Sequence, residues 1–261
     1  MTIAVAYKWA PNPQDAVVGA DGTVDWSRAK AAVSEYDQVA VEVGRRLADA
    51  TGSELVGLCV GGPDAAGPLA RKAALSRGLD RLVLVADESL ERAGTVRTAT
   101  VLARLVEHVG EVDVVIAGDS SVDVGAQLVP AVLAGALGRA ALTNVTEVTG
   151  TPGDLTVVRV QDAGSQVLHV TGPVVLAVAG DAVVPRVPGM KDILAAGKRP
   201  AETVDLAALD SAGTGRPLVA VEVTSTAKPA LAARKRQVVD GSDPAAAAAT
   251  LVAALRADAV L

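Results

Sequence analysis

Phenylalanine is absent from this 261-residue chain, and its aromatic side chains are confined to Tyr7, Trp9, Trp26 and Tyr36. So few rings leave little means of sandwiching a flat ligand between aromatic faces, and no stacking platform for nucleic acid. Positive charge is also scarce: 24 Lys and Arg against 30 Asp and Glu give a net charge of −6, with no basic tract. That balance argues against a general nucleic-acid role. Cys59 is the only cysteine, which excludes an intrachain disulfide and a cysteine metal cluster. The two histidines, His108 and His169, stand in no metal-ligand or triad pattern and are not read as catalytic. There is no Gly-x-x-x-x-Gly-Lys-Ser/Thr loop, and no Gly-x-Gly-x-x-Gly after the first strand. No apolar run reaches the roughly 18–20 residues that cross a bilayer. Met1-Thr2-Ile3-Ala4 opens directly into a strand rather than a basic-then-apolar leader. The expectation is a cytoplasmic protein without membrane insertion.

Half the residues are hydrophobic, enough for a sizeable core, and one stretch organises them. Val112–Ala117 is a Val- and Ile-rich run of the kind buried on both faces of a sheet. It empties into a loop of small and acidic residues, Gly118–Gly125. From Gln127, Leu128, Val132, Leu133 and Leu137 recur at helical spacing, and Gly138 supplies a C-terminal stop. Strand, small-residue loop and helix bring backbone N–H groups and a positive helix end to the strand's carboxyl end, which suits a phosphate or an adenosine sugar. Any βαβ crossover also needs such a turn. Asp119 and Asp123 flank the loop, either to take a ribose hydroxyl or to cap the helix that follows.

Before this stretch the chain reads as three strand–helix units. The strands are Ile3–Tyr7, Leu55–Val60 and Leu82–Ala86. The helices are one capped by Ser34, with Val39, Ala40, Val43 and Leu47 inward, one from Pro68 to Gly78, and one over Thr95–Val109. Ala20-Asp21-Gly22 turns a small hairpin between Val17-Val18 and Thr23-Val24. These units predict a parallel sheet with helices on both faces. After Gly138 strands dominate: Ala140–Val148, Leu155–Val160, Gln166–Val170 and Val174–Ala179. The hairpin signals between them, Thr149-Gly150 and Asp162-Ala163-Gly164, predict antiparallel additions. From Asp181 the pattern loosens around Pro185, Pro188, Pro200 and Pro217, with only a short strand at Leu218–Val223 and a last helix at Asp243–Arg256.

Arg186–Pro200 combines a Pro-Gly turn, apolar residues Met190, Ile193 and Leu194, and the cations Lys191, Lys198 and Arg199. It reads as a mobile loop suited to transient docking on an acidic partner, or as an ordinary solvated linker. The tail carries Lys228, Arg234, Lys235 and Arg236, then an Ala-rich helix whose Leu251, Val252 and Leu255 form an apolar stripe in need of cover.

Together these segments resemble the electron transfer flavoprotein β-subunit family over nearly the whole chain. Lys8 closes a first strand like the family's Val-Ala-Val-Lys. Ser34-Glu35-Tyr36-Asp37-Gln38-Val39-Ala40-Val41-Glu42 stands where the family writes Asn-Pro-x-Asp-Glu-x-Ala-x-Glu, and Gly61-Gly62-Pro63 matches its Gly-Pro turn. Gly118 to Asp123, with Gln127 and Pro130, resembles its Gly-Lys-Gln-Ala-Ile-Asp segment less one residue. Arg159-x-x-Asp162-x-Gly164-x-Gln166-x-Leu168 followed by Pro173-Val174-Val175-Leu176-Ala177 fits its signature except at Ala163. Arg186–Pro200 aligns with its recognition loop. Ser34 for Asn, Asp119 for Lys and the shortened loop mark a divergent branch, for which a mycofactocin-associated sub-family is suggested.

The resemblance implies a three-layer α/β/α sandwich of the adenine-nucleotide-binding type, with a mostly parallel sheet and a C-terminal partner-binding arm. Residues 1–185 would form the nucleotide-binding domain, 186–200 the recognition loop and 201–261 a strand and helical arm. It implies an electron carrier rather than an enzyme, paired with an α-subunit that holds most of the redox FAD and receiving electrons from flavin-dependent dehydrogenases. This subunit would hold AMP, which suits the short loop better than a second FAD. The expected nucleotide site comprises Ala6, Ser34, Gly61, Gly118, Asp119, Ser120, Ser121, Val122, Asp123, Gly125 and Gln127. The expected partner contacts are Arg186, Pro188, Met190, Ile193, Lys198 and Arg199. The competing reading is a stand-alone adenine-nucleotide-binding regulator resembling universal stress proteins, although their Gly-x-x-Gly, nine residues, Gly-Ser/Thr pattern is missing after Val112–Ala117. An ATP-pyrophosphatase would need a Ser-Gly-Gly-x-Asp-Ser loop where Tyr7-Lys8-Trp9-Ala10-Pro11 stands.

Overall fold

Runs of β-branched residues with no polar face can be strands only if both sides of the sheet are covered, and the helices between them supply that cover. The computed structural model describes residues 1–212, 224, 227, 229–231 and 233–261. In chain order the main elements are β1 (Thr2–Ala6), α1 (Glu35–Thr51), β2 (Glu54–Gly61), α2 (Pro68–Leu75), β3 (Arg81–Ala86), α3 (Thr95–Val109), β4 (Val112–Gly118) and α4 (Val129–Leu137). The second half adds β5 (Ala140–Thr151), β6 (Asp154–Gln161), β7 (Gly164–Thr171), β8 (Val174–Val178), α5 (Met190–Ala196), β9 (Ala201–Thr203), α6 (Leu206–Ala212) and α7 (Pro244–Ala257).

The nine strands form one sheet in the order β7-β6-β5-β8-β4-β1-β2-β3-β9. Pairing is parallel from β5 to β9, and only the β5-β6-β7 extension is antiparallel. Alternation along β1 sorts its residues to two cores. Ile3 and Val5 join Val39, Ala40, Val43 and Leu47 of α1 and Leu75 of α2. Ala4 and Ala6 join Leu102, Leu105 and Val106 of α3 and Leu133 of α4. The result is an α/β sandwich with a mostly parallel sheet, as expected. Each buried Leu or Ile contributes roughly 1.5–3 kcal/mol, so two such cores fix the layers firmly. The chain divides into two units, Met1–Ser225 and Thr226–Leu261.

Several boundaries differ from the sequence reading. α4 starts at Val129, not Gln127, because Gln127 takes a left-handed φ of 55° that no helix continues through; Leu128 is left 54% exposed. Gly138 does end α4 in a left-handed conformation. The β5–β6 turn lies at Pro152-Gly153 rather than Thr149-Gly150. Gly150 is needed inside the strand instead: at φ 104° a Cβ there would come within 2.4 Å of the Asp154 carbonyl oxygen. α2 ends at Leu75, short of Gly78. The expected loose segment after Asp181 contains α5, β9 and α6, and β9 pairs with β3. The expected strand at Leu218–Val223, and Lys228, lie outside the described residues.

Candidate functional site

The chain leaves β1 toward β2 and β3 on one side, then crosses back so that β4 pairs with β1 on the other. Where that direction reverses, at the carboxyl ends of β1 and β4, such sheets leave the crevice that is their usual ligand position. Ala6 pairs with Ala117 there, so the residues that follow each strand, Tyr7-Lys8 and Asp119 onward, leave the sheet side by side.

Asp37, in the first turn of α1, ties the two strand ends together. Its Oδ2 accepts a hydrogen bond from the Lys8 N–H at 2.7 Å, and its Oδ1 one from the Gly118 N–H at 3.2 Å. Burial raises its carboxyl to about 7, against the lowering effect of those two N–H groups and the Lys8 charge. Gly118 must be glycine: a Cβ would sit 2.7 Å from Asp37 Oδ1 and 2.8 Å from the Tyr36 carbonyl carbon. The Lys8 ammonium spans the crevice to Asp123 Oδ2 at 2.6 Å. Burial pulls the Asp123 carboxyl upward, but this contact, with further hydrogen bonds, holds it below its ordinary value. The Ser34 N–H donates to the Lys8 carbonyl. Neither Asp119 nor Asp123 caps α4, whose start has no side-chain cap.

Two buried oxygens of these residues have no protein partner, Ser34 Oγ and Asp119 Oδ1. Ser34 occupies the cap position of α1 without capping it. Burial raises the Asp119 carboxyl, and the charge of Asp181 adds to the effect. Unpartnered buried oxygens cost about 1–3 kcal/mol each, a cost that a ligand hydroxyl would remove. The fold thus joins Ala6, Ser34, Gly118 and Asp123 at the ends of β1 and β4, and Asp119 follows Gly118 with its N–H donating to the Val178 carbonyl at the end of β8. Ala6 contributes only a buried methyl. Gly61 ends β2, the strand on the far side of β1, with its carbonyl taken by the Asp87 N–H. Ser120, Ser121, Val122 and Gly125 lie in the loop, where the Gly125 N–H donates to Ser121 Oγ at 3.3 Å; Gln127 is exposed. Sequence reasoning singled out neither Lys8 nor Asp37 for this site. An acid in the first turn of the helix after β1 was the available signal.

A sequence model of the electron transfer flavoprotein domain matches residues 21–209. The chain belongs to the electron transfer flavoprotein family. Members of this family are electron carriers rather than enzymes, are associated with flavin and work with other electron transfer proteins. Burial pushes the thiol of this flavoprotein-family chain, Cys59, up to about 12, where it stays protonated. His108 and His169 are taken up by Glu202 at 2.9 Å and Asp154 at 2.5 Å. Among the described residues no helix is long and apolar enough to cross a membrane.

The segment that resembles the family's recognition loop contains a short helix, α5, where the sequence suggested a loop. Met190 is 73% and Leu194 64% exposed, one helical turn apart and therefore on one face. Ile193 and Pro188 are half-buried, and Lys191 and Lys198 are exposed. Arg186 and Arg199 engage this chain: Arg186 pairs with Glu42 of α1, and Arg199 donates to the carbonyls of Leu75 and Leu79 at 2.7 Å each.

Proposed function

We propose that this chain is the β-type subunit of a heterodimeric electron transfer flavoprotein, carrying electrons from a flavin-dependent dehydrogenase to an acceptor. The observation that carries the proposal is the crevice at the reversal of strand order, with Ser34 Oγ and Asp119 Oδ1 buried and unpartnered. Both oxygens suit the hydroxyl groups of an adenosine sugar. The crevice carries Asp37, Asp119 and Asp123 against one ammonium, Lys8, that is already paired. A phosphate would therefore rely on main-chain N–H groups of Ser120–Asp123, since those of Asp119, Val124 and Gly125 are donated within the chain. One phosphate is easier to accommodate there than the two and the second ring system of FAD, which favours AMP. AMP is redox-inert and its role would be structural. The electron-carrying FAD would be held mainly by an α-type partner subunit.

In this reading α5 docks on the dehydrogenase through Met190, with Lys191 and Lys198 steering the encounter, and the unit Thr226–Leu261 packs on the partner subunit. The test is stopped-flow reduction of the flavin in the assembled heterodimer by its dehydrogenase. Reduction within the complex, and none of the flavin reduction by this chain alone, is expected. A chain that binds adenine nucleotide yet assembles with no flavoprotein subunit would instead favour the stand-alone regulator.

A further inference from the structure

A seven-residue helix is too short to hold its own shape in water, and α5 buries only Ala196. Its apolar residues Met190 and Leu194 face solvent, and only its trailing residue, Ala196, joins the core beside α2. Polar contacts hold the chain on either side of it. At the leading end, Glu42 Oε2 accepts hydrogen bonds from Arg186 Nε at 2.7 Å and from the Arg186 main-chain N–H at 3.3 Å, while Oε1 accepts from Arg186 Nη2 at 3.3 Å. The carboxylate thus grips backbone and side chain of one residue together. Glu42 is itself buried in α1, its side chain 7% exposed, and also accepts a hydrogen bond from the exposed Arg46 one turn on, at 3.0 Å. Burial pulls its carboxyl upward, but the hydrogen bonds from Arg186 and Arg46 prevail and hold it ionised below its usual value. At the trailing end, Arg199 Nη1 bridges the Leu75 and Leu79 carbonyls where α2 ends.

We propose that Glu42 is the positioning residue of the docking segment. Through Arg186 it fixes the leading end of α5, so that Met190 and Leu194 meet their partner already in place and little ordering is left for the encounter. The value of that placement rests on the docking role proposed above; the placement itself does not. Arg46 touches the same carboxylate from the exposed side and is not part of the clamp.

Hydrogen exchange of the full-length protein reads the clamp directly. Glu42→Gln should speed exchange of the amides in Met190–Ala196 about tenfold, with β1 and β4 unchanged. Arg186→Lys, which keeps the charge but loses the two-pronged contact, should fall between it and the native protein. Arg46→Gln should leave the segment as it is. Equal rates in Glu42→Gln and the native protein, or acceleration spread evenly over the sheet, would overturn the proposal. Electron uptake from the dehydrogenase separates the two readings. A raised KM with unchanged kcat in Glu42→Gln supports clamp and docking together. Faster exchange with unaltered uptake upholds the clamp and counts against docking at α5.

Discussion

At the scale of single residues the crevice depends on a buried carboxylate at the tip of α1. Asp37 has an ordinary value of 3.8 when unfolded and about 7 in the fold. Between those values the folded chain keeps a proton that the unfolded chain has lost. Its contribution is therefore fully present below about pH 4 and is lost as pH rises through 7, on the order of 4 kcal/mol in all. Urea unfolding from pH 4.5 to 8 should show native stability falling relative to Asp37→Asn, whose side chain does not titrate. Parallel curves for the two proteins would contradict this. Gly118→Ala forces a methyl against Asp37 and the Tyr36 backbone. It should cost about 1–3 kcal/mol of stability, measurable by the same unfolding, because a main-chain atom cannot step aside as a flexible side chain does.

At the scale of elements, α5 leaves Met190 and Leu194 exposed and α7 leaves Leu251 and Val252 exposed. Met190→Ala should slow reduction by the dehydrogenase about tenfold under subsaturating conditions while leaving flavin content unchanged, since burying a Met contributes roughly 1.5–3 kcal/mol. Wild-type rates would move the anchor elsewhere. α7 has no buried residue and should gain exchange protection only when the partner subunit is bound; equal protection with and without it would sink the packing role. Long amphipathic elements were legible in sequence, and α3 has the expected bounds, Thr95–Val109. α5, β9 and α6 were not, because three to seven residues are too few for a periodicity and their places are set by distant partners. The start of α4 was misread for a local reason, the left-handed Gln127.

At the scale of the whole molecule, the alternation of strands and helices announced a parallel sheet, and the sheet's order then created the crevice. The small-residue loop after β4 was legible as its rim. What closes the crevice was not, since Asp37 meets Gly118 across 81 positions and Lys8 meets Asp123 across 115. Only the strand order brings those pairs together. The central claim is that this crevice holds an adenine nucleotide within an electron-carrying flavoprotein. Denaturing the purified protein, alone and assembled with its flavin-bearing partner, and chromatographing what it releases tests it most directly. The account predicts AMP at about one per chain, and much less from Gly118→Ala. No adenine nucleotide from either preparation, beyond that in any released FAD, would contradict it.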